Sequence, residues 1–251
     1  MQLGRHNSIE GFTQGGSNPA LQVHQVLCMA ISLNSRHWAT NQHCVYCNSS
    51  HATERDHVPP KGFFTKPLPS DIVVVPVCTG CNQQFSKSLD EPARAFLLPR
   101  LAYRSASATS LWKSSVLRGL SRNRRIASNL RGSFTRVRTW SPNGLFLGHS
   151  DAVLFPKFLF NAFIDRLVRG LHWHCYGEPV LDSVRVQPFW VNGHEFTDPE
   201  VKTWIHSGRL HSHGGGQFQF KVFDGRPNDK RSFWVFQIHD QMFGAAICHW
   251  A

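Results

Sequence analysis

Between Pro92 and Ser150 the chain has no aspartate or glutamate, although eleven lysines and arginines fall there. Acids are scarce throughout, 16 against 27 basic residues, which leaves a formal net charge of +11. Such a balance bears on association and not on fold, and it points to a polyanionic partner, nucleic acid before membrane. No continuous apolar run approaches the length of about eighteen residues that a membrane-spanning helix needs, so no membrane partner is expected. Val23 to Leu33 is mildly apolar but is broken by His24, Gln25 and Ser32. It lacks the basic flank and long core of a signal peptide. Repeats of the period that builds solenoids or propellers are also missing. What is present suffices for a folded protein: 251 residues, 41% of them hydrophobic, with eight Trp and nineteen Phe, enough for one large domain or two modest ones.

Seven cysteines make an odd count. Four stand as two C-x-x-C pairs, Cys44-Val-Tyr-Cys47 and Cys78-Thr-Gly-Cys81, with thirty residues between them. A short loop between paired thiolates lets both reach one tetrahedral zinc, and a second pair completes a closed four-cysteine site. The competing reading is four reduced core cysteines, since free Cys is often buried. Cys28, Cys175 and Cys248 have no motif context, which fits a reducing cytosol better than secretion and gives a cytoplasmic expectation.

Between the pairs, Asp56-His57 ends a short polar–apolar run that Pro59-Pro60 stops, and Asp71 to Val77 is a β-branched run suited to a strand. Asn82 to Leu89 lacks Gly and Pro and can start a helix beside the second cysteine pair. Strand, loop, strand and helix around a zinc is the expected order. Asp56-His57-Val-Pro-Pro60, then Val75-Pro-Val-Cys-Thr-Gly-Cys-Asn82, then Lys87, resembles the HNH (His-Me finger) endonucleases. The likeness is closest to the bacterial branch that carries a four-cysteine zinc inside the ββα-metal motif. It covers Cys44 to Lys87.

That resemblance implies roles. His57 is the general base that takes a proton from the attacking water, for which an imidazole with an unperturbed pKa of about 6.5 is suited. Asp56 and Asn82 are the two protein ligands of one catalytic divalent ion, Mg2+ or Mn2+, presenting the oxygen donors a hard cation prefers. The family's middle position is usually Asn, which braces the loop carrying the base; here it is Asp71. Neighbours on a strand face opposite ways, so Asp56 and His57 are expected to share a site only if the strand twists or bulges. Lys61 and Lys87 are expected to contact nucleic acid.

Outside the motif, Met1 to Thr40 reads as a flexible tail. The segment 92–132 reads as basic helix, with Leu97, Leu101, Leu111, Val116, Leu120, Ile126 and Leu130 near helical spacing. Arg118, Arg122 and Arg125 fall at i, i+4 and i+7, predicting one continuous basic face that tracks phosphates. Residues 133–251 read as a C-terminal α+β domain. Thr135 to Gly148 forms a hairpin around Ser141-Pro-Asn-Gly, Phe155 to His174 an amphipathic helix with a core-facing aromatic stripe, and three aromatic strands follow at Val184–Val191, Gln217–Phe223 and Ser232–His239. Thr197-Asp-Pro-Glu200 marks a short helix start. Six further histidines (His172, His174, His211, His213, His239, His249) lack a carboxylate or cysteine at ligand spacing and read as surface or satisfied core residues. Gly214-Gly-Gly216 reads as a flexible loop, without the strand-turn-helix context of a phosphate cradle.

The fold class is therefore α+β: a ββα-metal zinc motif over 41–91, a basic helical segment, and a C-terminal α+β domain. The expected function is metal-dependent hydrolysis of phosphodiesters in DNA, with RNA left open, a structural Zn2+ and a catalytic Mg2+ or Mn2+. The alternative is a non-catalytic zinc-finger protein that binds nucleic acid. A zinc nucleobase deaminase is rejected: it needs His-x-Glu ahead of Pro-Cys-x-x-Cys, whereas Val77 separates Pro76 from Cys78 and no His-x-Glu precedes them.

Overall fold

A computed structural model describes residues 42–48, 51–102, 104–141, 143–191, 199–226 and 228–250. The tail expected over 1–40 and the Thr197-Asp198 half of the helix signal lie outside them. The chain is mixed α+β, and its organising element is one helix. This helix, α6 (Lys157–Tyr176), is flanked by the cysteine-containing segment on one side and by a five-stranded sheet on the other. Numbered in chain order, the elements before it are β1 (Glu54–Val58), β2 (Val73–Val77), α1 (Thr79–Phe85), α2 (Glu91–Ala102), α3 (Ala106–Leu111), α4 (Leu117–Arg122), α5 (Arg124–Gly132), β3 (Phe134–Trp140) and β4 (Phe146–Val153). After it come β5 (Arg185–Trp190), α7 (Pro199–Ser207), β6 (Arg209–His213), β7 (Phe218–Asp224), β8 (Arg231–Ile238) and β9 (Gln241–His249).

Period-two alternation decides which side of the large sheet meets α6. The strands run antiparallel in the order β5-β9-β8-β7-β6. Phe218, Phe220 and Val222 on β7, with Trp234, Phe236 and Ile238 on β8, belong to the same buried cluster as Phe160, Phe163, Ile164 and Leu167 of α6. The residues between them, Phe233 and Val235, pack on the other side against Trp204 and Ile205 of α7. Each face is thus closed by one helix, as a strand with apolar residues at both parities requires. Contact with α6 is tight at β9: a Cβ on Gly244 would stand 2.7 Å from Ile164 Cδ1.

On its opposite side α6 runs along β1. A Cβ on Gly170 would stand 2.7 Å from Val58 Cγ2, and Arg166, four residues earlier, meets Asp56, two residues before Val58. Four helical residues rise about 6.0 Å and two strand residues about 6.6 Å, so the two elements stay in step. The buried cluster runs from Cys44 to Cys248 without a break, so the segments 41–91, 92–132 and 133–251 share one core.

Two strands went unread in the sequence, β6 and β9, which makes the sheet five strands and not three. The basic segment is helical but broken. Helix α4 ends at Asn123 (φ −105°, ψ 83°), whose side chain accepts from Ile126 N at 3.2 Å and starts α5. Arg118 and Arg122 therefore share one helix while Arg125 stands in the first turn of the next, and the expected continuous face does not form.

Several of the extra histidines are core groups. His239 is 1% exposed, with Nδ1 at 2.8 Å from Ser107 Oγ and Nε2 at 2.9 Å from the Phe63 carbonyl. His172 Nδ1 lies 3.0 Å from the Glu178 carbonyl. Burial pushes His172 and His174 down to about 4 and His211 to about 3. Above the ordinary value of about 6.5 both folded and unfolded chains hold these rings neutral, so their contribution to stability is complete. Below it the unfolded chain takes up protons that the folded chain refuses, and stability is lost as pH falls towards 4. The urea midpoint should therefore fall between pH 7 and pH 4.5; a midpoint that stays flat over that window would contradict the burial of these rings.

Candidate functional site

The four motif cysteines converge. Val45 N donates to the Pro76 carbonyl at 3.1 Å, which hangs the first C-x-x-C loop on the end of β2. Asn48 N closes that loop on the Cys44 carbonyl at 2.8 Å. Cys78 is the N-cap residue of α1, its Sγ accepting from Cys81 N at 3.4 Å. All four Sγ atoms lie within 4.8 Å of one another, and Cys47 and Cys78 are 3.9 Å apart. A tetrahedral zinc with bonds of about 2.3 Å sets its sulfurs about 3.8 Å apart, so four soft donors at this spacing could hold a zinc ion. Burial raises the Cys44 and Cys81 thiols above their ordinary value. A bound cation is what would favour the thiolates.

Beside this cluster lies a cleft of about 430 Å³, lined by Arg55, Asp56, His57, Lys61, Asn82, Ser86, Asp90, Glu91 and Arg94 among others. The β1–β2 register carries no bulge, yet Asp56 and His57 both reach the cleft. Among the described residues the sheet has two strands, so β1 keeps an edge open to them, and three consecutive residues of it line the cavity. An edge gives access to both faces of a strand, so of the twist or bulge expected from the sequence the bulge is absent.

His57 is half-buried, and neither ring nitrogen bonds to a described residue. Burial first, then the Lys61 ammonium, depress its proton affinity, against an opposing pull from Asp56. The ring is therefore biased towards the neutral form, the one able to accept a proton. Asn82, on α1, donates through Nδ2 to Glu54 on β1, leaving Oδ1 as its acceptor.

Asp56 has a different environment from the one the sequence implied. It is 5% exposed, and its carboxylate is held by the 2% exposed Arg166. Arg166 Nη2 lies 2.6 Å from Oδ1 and 2.7 Å from Oδ2, and Nε lies 3.2 Å from Oδ2. Tyr46 OH donates to Oδ2 at 2.6 Å; burial, then Asp56, raise that phenol well above its ordinary value, so it stays a donor. Arg166 Nη1 also pairs with Asp90, and its guanidinium stacks over the Phe85 ring at 4.7 Å. Asp56 is thus first a partner of Arg166, and any cation it binds must share the carboxylate with a guanidinium.

The remaining candidates separate. Asp71 is exposed and does not line the cleft; its carbonyl accepts from Nδ1 of His213, on β6, at 3.0 Å. Lys61 rims the cleft, whereas Lys87 is exposed outside its lining. Arg118 and Arg122 line a second cavity of about 320 Å³ with Ser115, Gly119 and Arg94. Arg94 lines both cavities, so it links the cleft to the α4 arginines. Neither Arg94 nor Arg166 was singled out from the sequence. Arg166 had a signal: three residues after Phe163 and next to Leu167, it falls on the apolar stripe of α6, where a cation must find a buried acid. Among the described residues no helix is long and apolar enough to cross a membrane. Compared with protein-family models, curated proteins and solved structures, the chain matches none, and the chemistry of this site stands on its own residues.

Proposed function

We propose that the protein is a metal-dependent endonuclease that hydrolyses phosphodiester bonds in DNA through an HNH-type ββα-metal motif, with the four cysteines holding a structural Zn2+. The observation that carries this is the cleft itself. It brings an unpartnered, neutral-biased His57 together with Asn82 and Asp56 from separate elements, beside Arg55, Lys61 and Arg94. His57 accepts the proton of a water whose oxygen forms the new bond to phosphorus, while the bond to the leaving sugar oxygen breaks. By the HNH resemblance the products are a 5′ phosphate and a 3′ hydroxyl. Lys61 and Arg94 hold the phosphate charge at the rim.

The donor set admits a cation. Asp56 Oδ1 carries one hydrogen bond against three on Oδ2, and a carboxylate oxygen has two acceptor positions. With Asn82 Oδ1 that gives two hard oxygen ligands, the number that leaves room for water and phosphate. Mg2+ or Mn2+ bound there would polarise the phosphoryl oxygen and neutralise charge on the leaving oxygen. The Arg166 charge against Asp56 favours a second reading, a zinc-containing nucleic-acid-binding protein that does not cut.

His57→Ala separates the two. Binding should survive while cleavage falls about 10²- to 10⁴-fold, the usual cost of losing a general base. Because the folded environment lowers the His57 proton affinity, the acid limb of the wild-type rate profile should lie below the ordinary imidazole value of about 6.5. If zinc-loaded protein cuts no nucleic acid with either ion, the binding module takes the place of the enzyme. If His57→Ala cuts as well as wild type, His57 is not the base.

A further inference from the structure

The β3–β4 hairpin contributes no residue to the cleft. Its strands pair from Phe134↔Val153 to Trp140↔Phe146, and its substantial packing is between those two strands. Paired residues in an antiparallel ribbon share a face. One face therefore carries Arg136, Arg138, His149, Trp140 and Phe146, with Asp151 as its one acid. Both arginines are exposed and form no ion pair or hydrogen bond with a described residue. Trp140 is 55% and Phe146 45% exposed, their rings 5.1 Å apart, and Phe146 meets His149 edge-on at 5.6 Å. The opposite face carries no charge and no aromatic ring: Val137 and Ala152 stand there with Thr135, Thr139 and Ser150, the Thr139 and Ser150 hydroxyls 2.7 Å apart. Leu145 and Leu147 at the tip are 68% and 60% exposed.

An apolar ribbon left open to water needs an occupant. A second copy is disfavoured by charge: a two-fold contact brings the same patch against itself, setting Arg136 and Arg138 against their own equivalents on a chain of net charge +11. A polyanion complements the same face. Seven paired residues span roughly 23 Å, and a two-stranded ribbon fits the major groove of B-form DNA, about 12 Å wide.

We propose that the β3–β4 ribbon is an arm that enters a groove of duplex DNA, Arg136 and Arg138 meeting phosphates along the groove and Trp140 and Phe146 packing on its floor. It shares with the nuclease reading only the class of partner. The arm would fix where and in what orientation a duplex lies on the protein, which the cleft alone does not.

The test is binding of a labelled DNA duplex of three helical turns over a range of salt, with no divalent ion added, so that cutting plays no part. Arg136→Gln/Arg138→Gln should weaken binding about tenfold or more at physiological salt and flatten the slope of log affinity against log salt by about two. Trp140→Ala/Phe146→Ala should weaken binding comparably and leave the slope unchanged. Melting temperatures should stay at the wild-type value, since the ribbon packs mainly on itself. Unchanged binding in both variants would overturn the arm. So would a wild type that binds single strands but not duplex, or one that is dimeric and becomes monomeric in the aromatic variant with DNA binding intact. Loss of binding in these variants of a protein that never cuts would leave the arm standing and remove the nuclease. His57-dependent cutting with ribbon variants that bind normally would do the reverse.

Discussion

Cys78→Ser should unfold the segment from Cys44 to Phe85 and lower the stability of the whole chain, not merely empty a metal site. Serine is a good helix N-cap, so it preserves the capping role that Cys78 plays at α1 while removing the thiolate. The substitution therefore isolates the metal contribution. A structural zinc supplies on the order of 10 kcal/mol or more to folding, comparable with the roughly 5–15 kcal/mol that separates a folded domain from its unfolded chain. Val58, Val73, Val75 and Val77 belong to the same buried cluster as α6 and the large sheet, so the loss cannot stay local. Zinc content and the thermal transition should fall together in the variant, and chelation of the wild type should reproduce both. A variant that melts like wild type, with no zinc in either, would mean four reduced core cysteines instead.

What the sequence made legible followed local pattern. The two C-x-x-C pairs sit at a spacing with one economical explanation. The Val-rich run of β2 has both faces buried, and α6 shows its stripe at helical period, so both could be read without partners. β9 could not. Gly244, Ala245 and Ala246 are poor strand formers, and at Gly244 α6 lies too close for anything larger. The strand is written in another element's packing. β6, Arg-Leu-His-Ser-His, is an edge strand with no alternation to detect. The basic face failed at Asn123, a residue whose side chain competes with helix and prefers to cap one. The site was half visible for the same reason. His57 and Asn82 carry their chemistry in motif context, but the partner that defines Asp56 stands 110 residues away in sequence on a helix read for its apolar stripe alone.

Arg166→Met should cost about 3–5 kcal/mol, a fall in Tm of roughly 10 °C for a chain of this size. Methionine fills much of the same volume, so the effect reads chiefly the charge and not a cavity. The penalty comes from what is left behind. Asp56, 5% exposed, would keep only the Tyr46 hydroxyl as partner, and an uncompensated buried carboxylate costs several kcal/mol. Asp90 has a side chain 23% exposed and can turn to water, so the damage concentrates at Asp56. Arg166→Lys should rescue little, because an ammonium cannot reproduce the fork that meets both Asp56 oxygens and Asp90 together. Asp56→Asn/Arg166→Met removes the stranded charge and keeps an acceptor for Tyr46, so the double variant should be more stable than Arg166→Met alone, with a coupling of up to about 3 kcal/mol. Urea titrations of wild type, Asp56→Asn, Arg166→Met and the double variant measure it. If Arg166→Met lies within about 1 kcal/mol of wild type, the pair is ornamental, the Asp56 carboxylate is free to serve a cation, and the second, non-cutting reading loses the observation that favours it.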